Sequence, residues 1–134
     1  MKSKIIILVM LFITFFSCKN EAKEETKISE NTVQTDIQLI QFHTEHRCVT
    51  CNNIEKLSKE TIKGNEAISF VLYNVDDEKN AKVAEQFEAS GTSLYLYNSK
   101  TKATKDLTEM AFMYAKNEGD KFKTELQKEI SEFK

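Results

Sequence analysis

Cys48 and Cys51 stand two residues apart in the run Cys48-Val49-Thr50-Cys51, and the chain around them leaves these thiols little to do except react with each other. The 134-residue chain has three cysteines, and the third, Cys18, lies far upstream. A disulfide that closes so short a loop is a poor brace: the chain-entropy relation gives about 2 kcal/mol, against about 4.7 for a loop of a hundred residues. Such a pair suits reversible redox exchange better than cross-linking. Both histidines, His43 and His46, and the only arginine, Arg47, lie just ahead of it.

The thiols need an element that holds them at different depths, and the pattern supplies one. Ile37, Leu39, Ile40 and Phe42 read as a strand that runs into a loop at residues 43–47. Residues 49–63 read as a helix, with Cys51, Ile54, Leu57, Ser58, Thr61 and Ile62 on one face and Gly64 as its stop. Cys48 then sits at the helix N-terminus, where unpaired N–H groups and the helix dipole favour a thiolate. Arg47 and a protonated His46 nearby would lower its pKa further from the free value of about 8.5. Cys51 follows three residues on, on the same helical face and more buried. The expected roles are Cys48 as the attacking thiol and Cys51 as the resolving one.

The remaining elements read as a sheet covered by helices. Residues 68–75 form a nearly continuous apolar run, as expected of a strand buried on both faces. A second helix follows Asp76 and Asp77, with Val83, Ala84 and Phe87 inward and Gly91 as its end. Leu94, Tyr95, Leu96 and Tyr97 make a strand, 98–100 a turn, and 102–105 a short strand. The rest is helical, with one stripe of Leu107, Met110, Ala111 and Tyr114 and another of Phe122, Leu126, Ile130 and Phe133. Met110, Phe112, Met113 and Tyr114 read first as core, and because Phe112 and Met113 fall off the main stripe, a partner-binding patch stays open as the alternative. The order βαβα, ββ, α gives the fold class as α/β, a central mixed sheet flanked by helices.

Other chemistries compete for the same residues. His43, His46, Cys48 and Cys51 are four borderline or soft ligands within nine residues, closer together than zinc ligand pairs usually are. Copper or arsenite capture by the two thiols is chemically sound, because thiolates suit soft ions. A c-type haem is excluded, since Asn52 and not histidine follows Cys51. A scaffold with incidental cysteines is the third reading. No metal and no dissociable cofactor is required by the dithiol chemistry, and the chain's three glycines include no glycine-rich loop for a flavin.

Composition limits the partners. The net charge is −2, and lysines are interspersed with glutamates, so there is no basic surface for nucleic acid. The length accommodates one domain. Lys2 and Lys4 precede an apolar run at residues 5–16, broken only by Thr14, and Ser17 precedes Cys18. That run is shorter than the about 20 residues a spanning helix needs and matches a secretory signal peptide. Phe15-Phe16-Ser17-Cys18 resembles the lipobox of bacterial lipoproteins, whose cysteine is acylated and becomes the mature N-terminus. The expected organisation is a signal peptide at 1–17, a lipid anchor and charged linker at 18–36, and a domain at 37–134. The resemblance implies a place in the bacterial cell envelope, lipid-anchored and facing the periplasm or the exterior, where disulfides persist.

From the strand, Cys48-x-x-Cys51 and the helix, the chain resembles the thioredoxin superfamily over residues 37–134. Val75-Asp76 at the end of the next strand, and Phe87 followed by Gly91-Thr92-Ser93-Leu94, fit the same pattern. More narrowly, Phe42-His43, the run from Arg47 to Glu55, and Asp106-Leu107-Thr108-Glu109-Met110-Ala111-Phe112 resemble a small bacterial family known as nitrophenyl-compound nitroreductase subunits. That name implies a gene-neighbourhood association more than a reaction, and no nitroreductase activity is carried over. The resemblance implies a thioredoxin-like fold, a thiol–disulfide oxidoreductase activity and substrate docking at Thr92 and Ser93, with Ser93 where the superfamily has a cis-proline. Val49-Thr50 replaces its Gly-Pro dipeptide, and Gln41 falls where its buried acid lies, so Glu45 or His46 would have to serve instead. The implied partners are a protein disulfide client and an integral-membrane thiol–disulfide carrier as electron donor.

Overall fold

The computed structural model describes residues 35–133. The expected signal peptide, Cys18 and all but the end of the linker therefore lie outside the described residues. The elements run β1 (Ile37–His43), α1 (Val49–Ile62), β2 (Ile68–Asn74), a 3-10 turn (Glu78–Asn80), α2 (Ala81–Gln86), β3 (Ser93–Asn98), β4 (Thr104–Asp106), α3 (Thr108–Ala115) and α4 (Gly119–Glu132). The strands form one mixed sheet in the order β2-β1-β3-β4. β1 pairs in parallel with β2 and antiparallel with β3, and β3 and β4 form an antiparallel hairpin. This is the α/β architecture expected, a mixed sheet flanked by helices.

Alternation along the strands divides the interior in two. Leu39, Leu94 and Leu96 face one core with Ile54 and Ile62 of α1, Ala111 and Ala115 of α3, and Phe122 and Leu126 of α4. Ile40, Phe42 and Tyr97 face the other, with Ala84 of α2 and Phe87 just beyond it. Fully burying a large apolar side chain contributes roughly 1.5–3 kcal/mol. Leu39, Phe42, Leu94, Leu96, Phe122 and Leu126, all with no exposure, are the main anchors of the two layers.

β1, not β2, is the strand enclosed on both sides: Leu39, Ile40, Gln41 and Phe42 are all buried in succession. The apolar run from Ile68 instead forms an edge strand, in which only Ile68 and Ser69 are buried and the rest are half-buried. Its side chains still reach both layers, Phe70 on one and Val71 and Tyr73 on the other. The continuous apolar pattern thus reflects helices over both faces, while strand order leaves one edge open.

Two helix ends show how local chemistry sets the boundaries. Beyond α1, Lys63 and Gly64 turn the chain back, with Gly64 at φ +81 and Asn65 N donating to Ile62 O at 2.9 Å. The dihedrals are those of a type II turn, whose third residue needs positive φ. α2 ends earlier than Gly91. Glu88 takes φ +52, its N donates to Glu85 O at 3.0 Å, and Ala89 N donates to Ala84 O at 2.8 Å. This pair of bonds is a Schellman cap, with glutamate in the left-handed position where glycine is usual. Gly91 is spacing within the approach to β3, not the stop. Where α4 begins, a Cβ on Gly119 would lie 3.2 Å from Leu57 Cδ2, so glycine lets this helix start close against α1.

Candidate redox site

β1 ends at His43 beneath a loop fastened to the segment after β2. His43 O accepts from Val75 N at 2.8 Å, and Glu45 N donates to Asp76 Oδ2 at 2.7 Å. The loop delivers Cys48 as the N-cap of α1, in extended conformation at φ −80 and ψ 165. Its Sγ accepts a hydrogen bond from Cys51 N at 3.2 Å, and its carbonyl accepts the first helical bond from Asn52 N at 3.1 Å. Cys48 and Cys51 form a disulfide with Cα atoms 5.2 Å apart.

The two sulfurs lie at different depths. Cys48 is exposed, whereas Cys51 is 5 % exposed and belongs to the buried face of α1. Val49 between them is 74 % exposed, an apolar side chain standing in solvent beside the attackable sulfur. An incoming disulfide can reach Cys48 and not Cys51. This asymmetry suits thiol–disulfide exchange, whose rate depends on access to the attacking thiol.

Cys51 is held from three directions. Gln41, buried at the centre of the sheet, donates from Nε2 to Cys51 O at 3.0 Å. Arg47 Nη2 donates to the same carbonyl at 3.4 Å. Thr92, immediately before β3, donates from Oγ1 to Cys51 Sγ at 3.2 Å. Thr92 reaches the site because β3 pairs with β1 so that the next residue, Ser93, lies opposite Phe42. Ser93 is buried, with its hydroxyl on Gly91 O at 3.5 Å. Thr92 therefore contacts the buried sulfur itself.

Arg47 is committed elsewhere than to Cys48. Its Nη1 pairs with Glu55 Oε2 at 2.6 Å, and Lys59 Nζ pairs with Glu55 Oε1 at 2.8 Å. Burial would raise the Glu55 pKa, but hydrogen bonds from Lys59 and Arg47 and their positive charges outweigh it and hold the carboxyl below its ordinary range. Glu55 was not among the residues singled out from sequence. Its signal was present in the four-residue spacing to Lys59, a usual ion-pair spacing on a helix. His46 is exposed, and His43 Nδ1 lies 2.8 Å from Thr44 O, as for a residue packed at a strand end. Among the described residues no group of three or more His, Cys, Asp or Glu is brought together. The same residues contain no helix long and apolar enough to cross a membrane. Phe112 and Met113 of α3 are exposed.

No family model and no curated protein matches the chain. Among solved structures, one described as "Structure of a malarial protein" is similar, with a TM-score of 0.42 and 20 % identity over 60 % of this chain and 94 % of that one. The nitroreductase-subunit resemblance finds no support in these comparisons. The architecture stands on its own: a four-stranded mixed sheet flanked by helices, with a Cys-x-x-Cys disulfide at the start of α1, is consistent with a thioredoxin-like fold.

Proposed function

We propose that this protein is a membrane-anchored thiol–disulfide oxidoreductase that exchanges electrons with a partner protein through Cys48 and Cys51. One observation carries the reading: an exposed helix-capping sulfur is bonded to a buried one three residues along the same helix. In the reducing direction, the Cys48 thiolate attacks a client disulfide, forms a mixed disulfide and releases one client sulfur as a thiolate. Cys51 then loses its proton to solvent and attacks Cys48 Sγ. The Cys48–Cys51 bond forms as the bond to the client breaks, and both electrons end on the client, whose thiolates take up protons from solvent.

The Cys51 N–H on Cys48 Sγ supports the thiolate at Cys48. Arg47 adds a positive charge offset by its pairing with Glu55, and His46 stands exposed in the same loop. Anchoring through an acylated Cys18, an envelope location and an integral-membrane carrier as electron donor belong to this proposal. They rest on the sequence of residues 1–18 and on the thioredoxin resemblance.

Trapping tests the exchange. The Cys51→Ser chain should accumulate a mixed disulfide with its client, resolved by reductant, and Cys48→Ser should not. The opposite pattern would reverse the roles, and no adduct from either variant would count against exchange. The intact mass of the native protein tests the anchor: an unmodified Cys18 or a retained Met1 would refute it.

A further inference from the structure

Each sulfur of the Cys48–Cys51 disulfide receives one hydrogen bond, but the donors differ in kind. Cys48 Sγ accepts from a backbone N–H, that of Cys51, at 3.2 Å. Cys51 Sγ accepts from the Thr92 hydroxyl, also at 3.2 Å. A backbone N–H can only donate, whereas a hydroxyl can donate or accept by rotating. The Cys51 sulfur needs both. As a neutral thiol it carries a proton that seeks an acceptor, and as the resolving nucleophile it carries a negative charge that seeks a donor.

Burial makes the second state costly, because desolvation raises the pKa of a thiol. The other side-chain hydrogen bonds at Cys51 go to its carbonyl and not to its sulfur. Gln41 Nε2 is occupied by the Cys51 carbonyl, and Gln41 Oε1, buried without a partner, is an acceptor. Arg47 spends Nη1 on Glu55 and Nη2 on the same carbonyl, and its Nε, buried without a partner, makes no bond to the sulfur.

We infer that Thr92 is a catalytic residue, whose hydroxyl stabilises the Cys51 thiolate while it resolves the mixed disulfide. The inference rests on the exchange reading above and replaces the docking role expected of this threonine. The step is the one already balanced: Cys51 gives its proton to solvent, its thiolate forms the bond to Cys48 Sγ, and the client sulfur leaves. Thr92 is neither oxidised nor deprotonated. Two effects oppose each other when its hydroxyl is lost. The thiolate becomes scarcer near neutral pH, and it also becomes a stronger nucleophile, recovering about half of the loss on a logarithmic scale. A hydrogen bond to a charged group is a one- to two-decade effect, so the net slowing is roughly three- to tenfold. The charged groups linked to Cys51 are Arg47, from the preceding loop, which bonds its carbonyl, and Glu55 on α1, which pairs with Arg47; Gln41 from β1 and Thr92 before β3 are neutral.

The test is a two-phase reaction of the reduced full chain, carrying Cys18→Ser so that only the dithiol reacts, with a symmetrical nitrobenzoate disulfide. Attack by Cys48 releases the first coloured thiolate, and resolution by Cys51 releases the second. Thr92→Val should leave the first phase unchanged and slow the second by about three- to tenfold near neutral pH. Thr92→Ser should restore it, and in alkali, where Cys51 is fully ionised in both chains, the gap should close and reverse because the variant's thiolate is the stronger nucleophile. If valine disturbs the fold, Thr92→Ala against Thr92→Ser makes the same comparison. An unchanged second phase would overturn the inference, as would a slowed first phase with a normal second, the mark of a docking residue. If the parent chain releases no second thiolate, the exchange reading itself fails.

Discussion

Gln41 Nε2 donates to the carbonyl of Cys51 at 3.0 Å, joining the most enclosed strand to the buried half of the dithiol. Both residues are buried, so the bond lies away from solvent. Gln41→Glu replaces the donor with a carboxylate facing a carbonyl oxygen. The expected cost at neutral pH is about 2 kcal/mol or more, from an unsatisfied acceptor and a buried charge. Burial would raise the pKa of the new carboxyl above its unfolded value of about 4.3. The variant should therefore be least impaired below about pH 4 and lose stability as pH rises through the folded pKa. Denaturant unfolding across pH checks this, and a pH-independent difference from the parent would show that the carboxyl does not ionise there.

Glu55 gives the opposite dependence. Its folded pKa is depressed by Lys59 and Arg47 against the effect of burial. Its stabilisation is complete above the unfolded pKa and is lost as pH falls through the lower folded one. Because the group is partly exposed, solvent screening limits the effect to about 1 kcal/mol. Glu55→Gln should be less stable than the parent by about that amount at pH 7, with the difference closing in acid. Urea midpoints at neutral and acid pH provide the comparison.

The Cys48 sulfur doubles as a helix cap, accepting from Cys51 N. In a Cys51→Ser background, which has no disulfide to lose, Cys48→Ser should be neutral or slightly stabilising because serine is a preferred N-cap. Cys48→Ala should cost about 1 kcal/mol more than Cys48→Ser. Equal stabilities would mean that capping at this position contributes nothing. Thermal unfolding distinguishes these outcomes without any redox reagent.

Glu88 occupies the left-handed position of a Schellman cap at φ +52. Glycine there removes the Cβ penalty, about 1 kcal/mol or slightly more for an L residue. Glu88→Gly should therefore raise stability by somewhat less than that, after the entropy of a more flexible unfolded chain is deducted. Gly91→Ala should be nearly neutral, since a Cβ there meets nothing within 4 Å and φ is not in the left-handed region. A large loss from Gly91→Ala, with no gain at Glu88, would return the helix stop to Gly91.

The order of elements, the class of the fold, the start of α1 at Val49 and the exposure difference between Cys48 and Cys51 were all legible in the sequence. They follow from local causes: apolar period, a turn-forming glycine at Gly64, and a cysteine at the boundary of strand and helix. Strand order was not legible. The run from Ile68 reads as a central strand, yet β1 takes the interior because it alone pairs with both β2 and β3. Nor was the end of α2, where tertiary contacts and backbone bonds hold a glutamate in a conformation that local preference assigns to glycine. The surroundings of the dithiol were decided latest of all. Gln41, Arg47 and Thr92 are spread over more than fifty positions of sequence, and Thr92 joins the other two at Cys51 because β3 returns antiparallel to β1 with Ser93 opposite Phe42. Sequence spacing places two thiols on one helix; the sheet register determines which hydroxyl lies against the buried one.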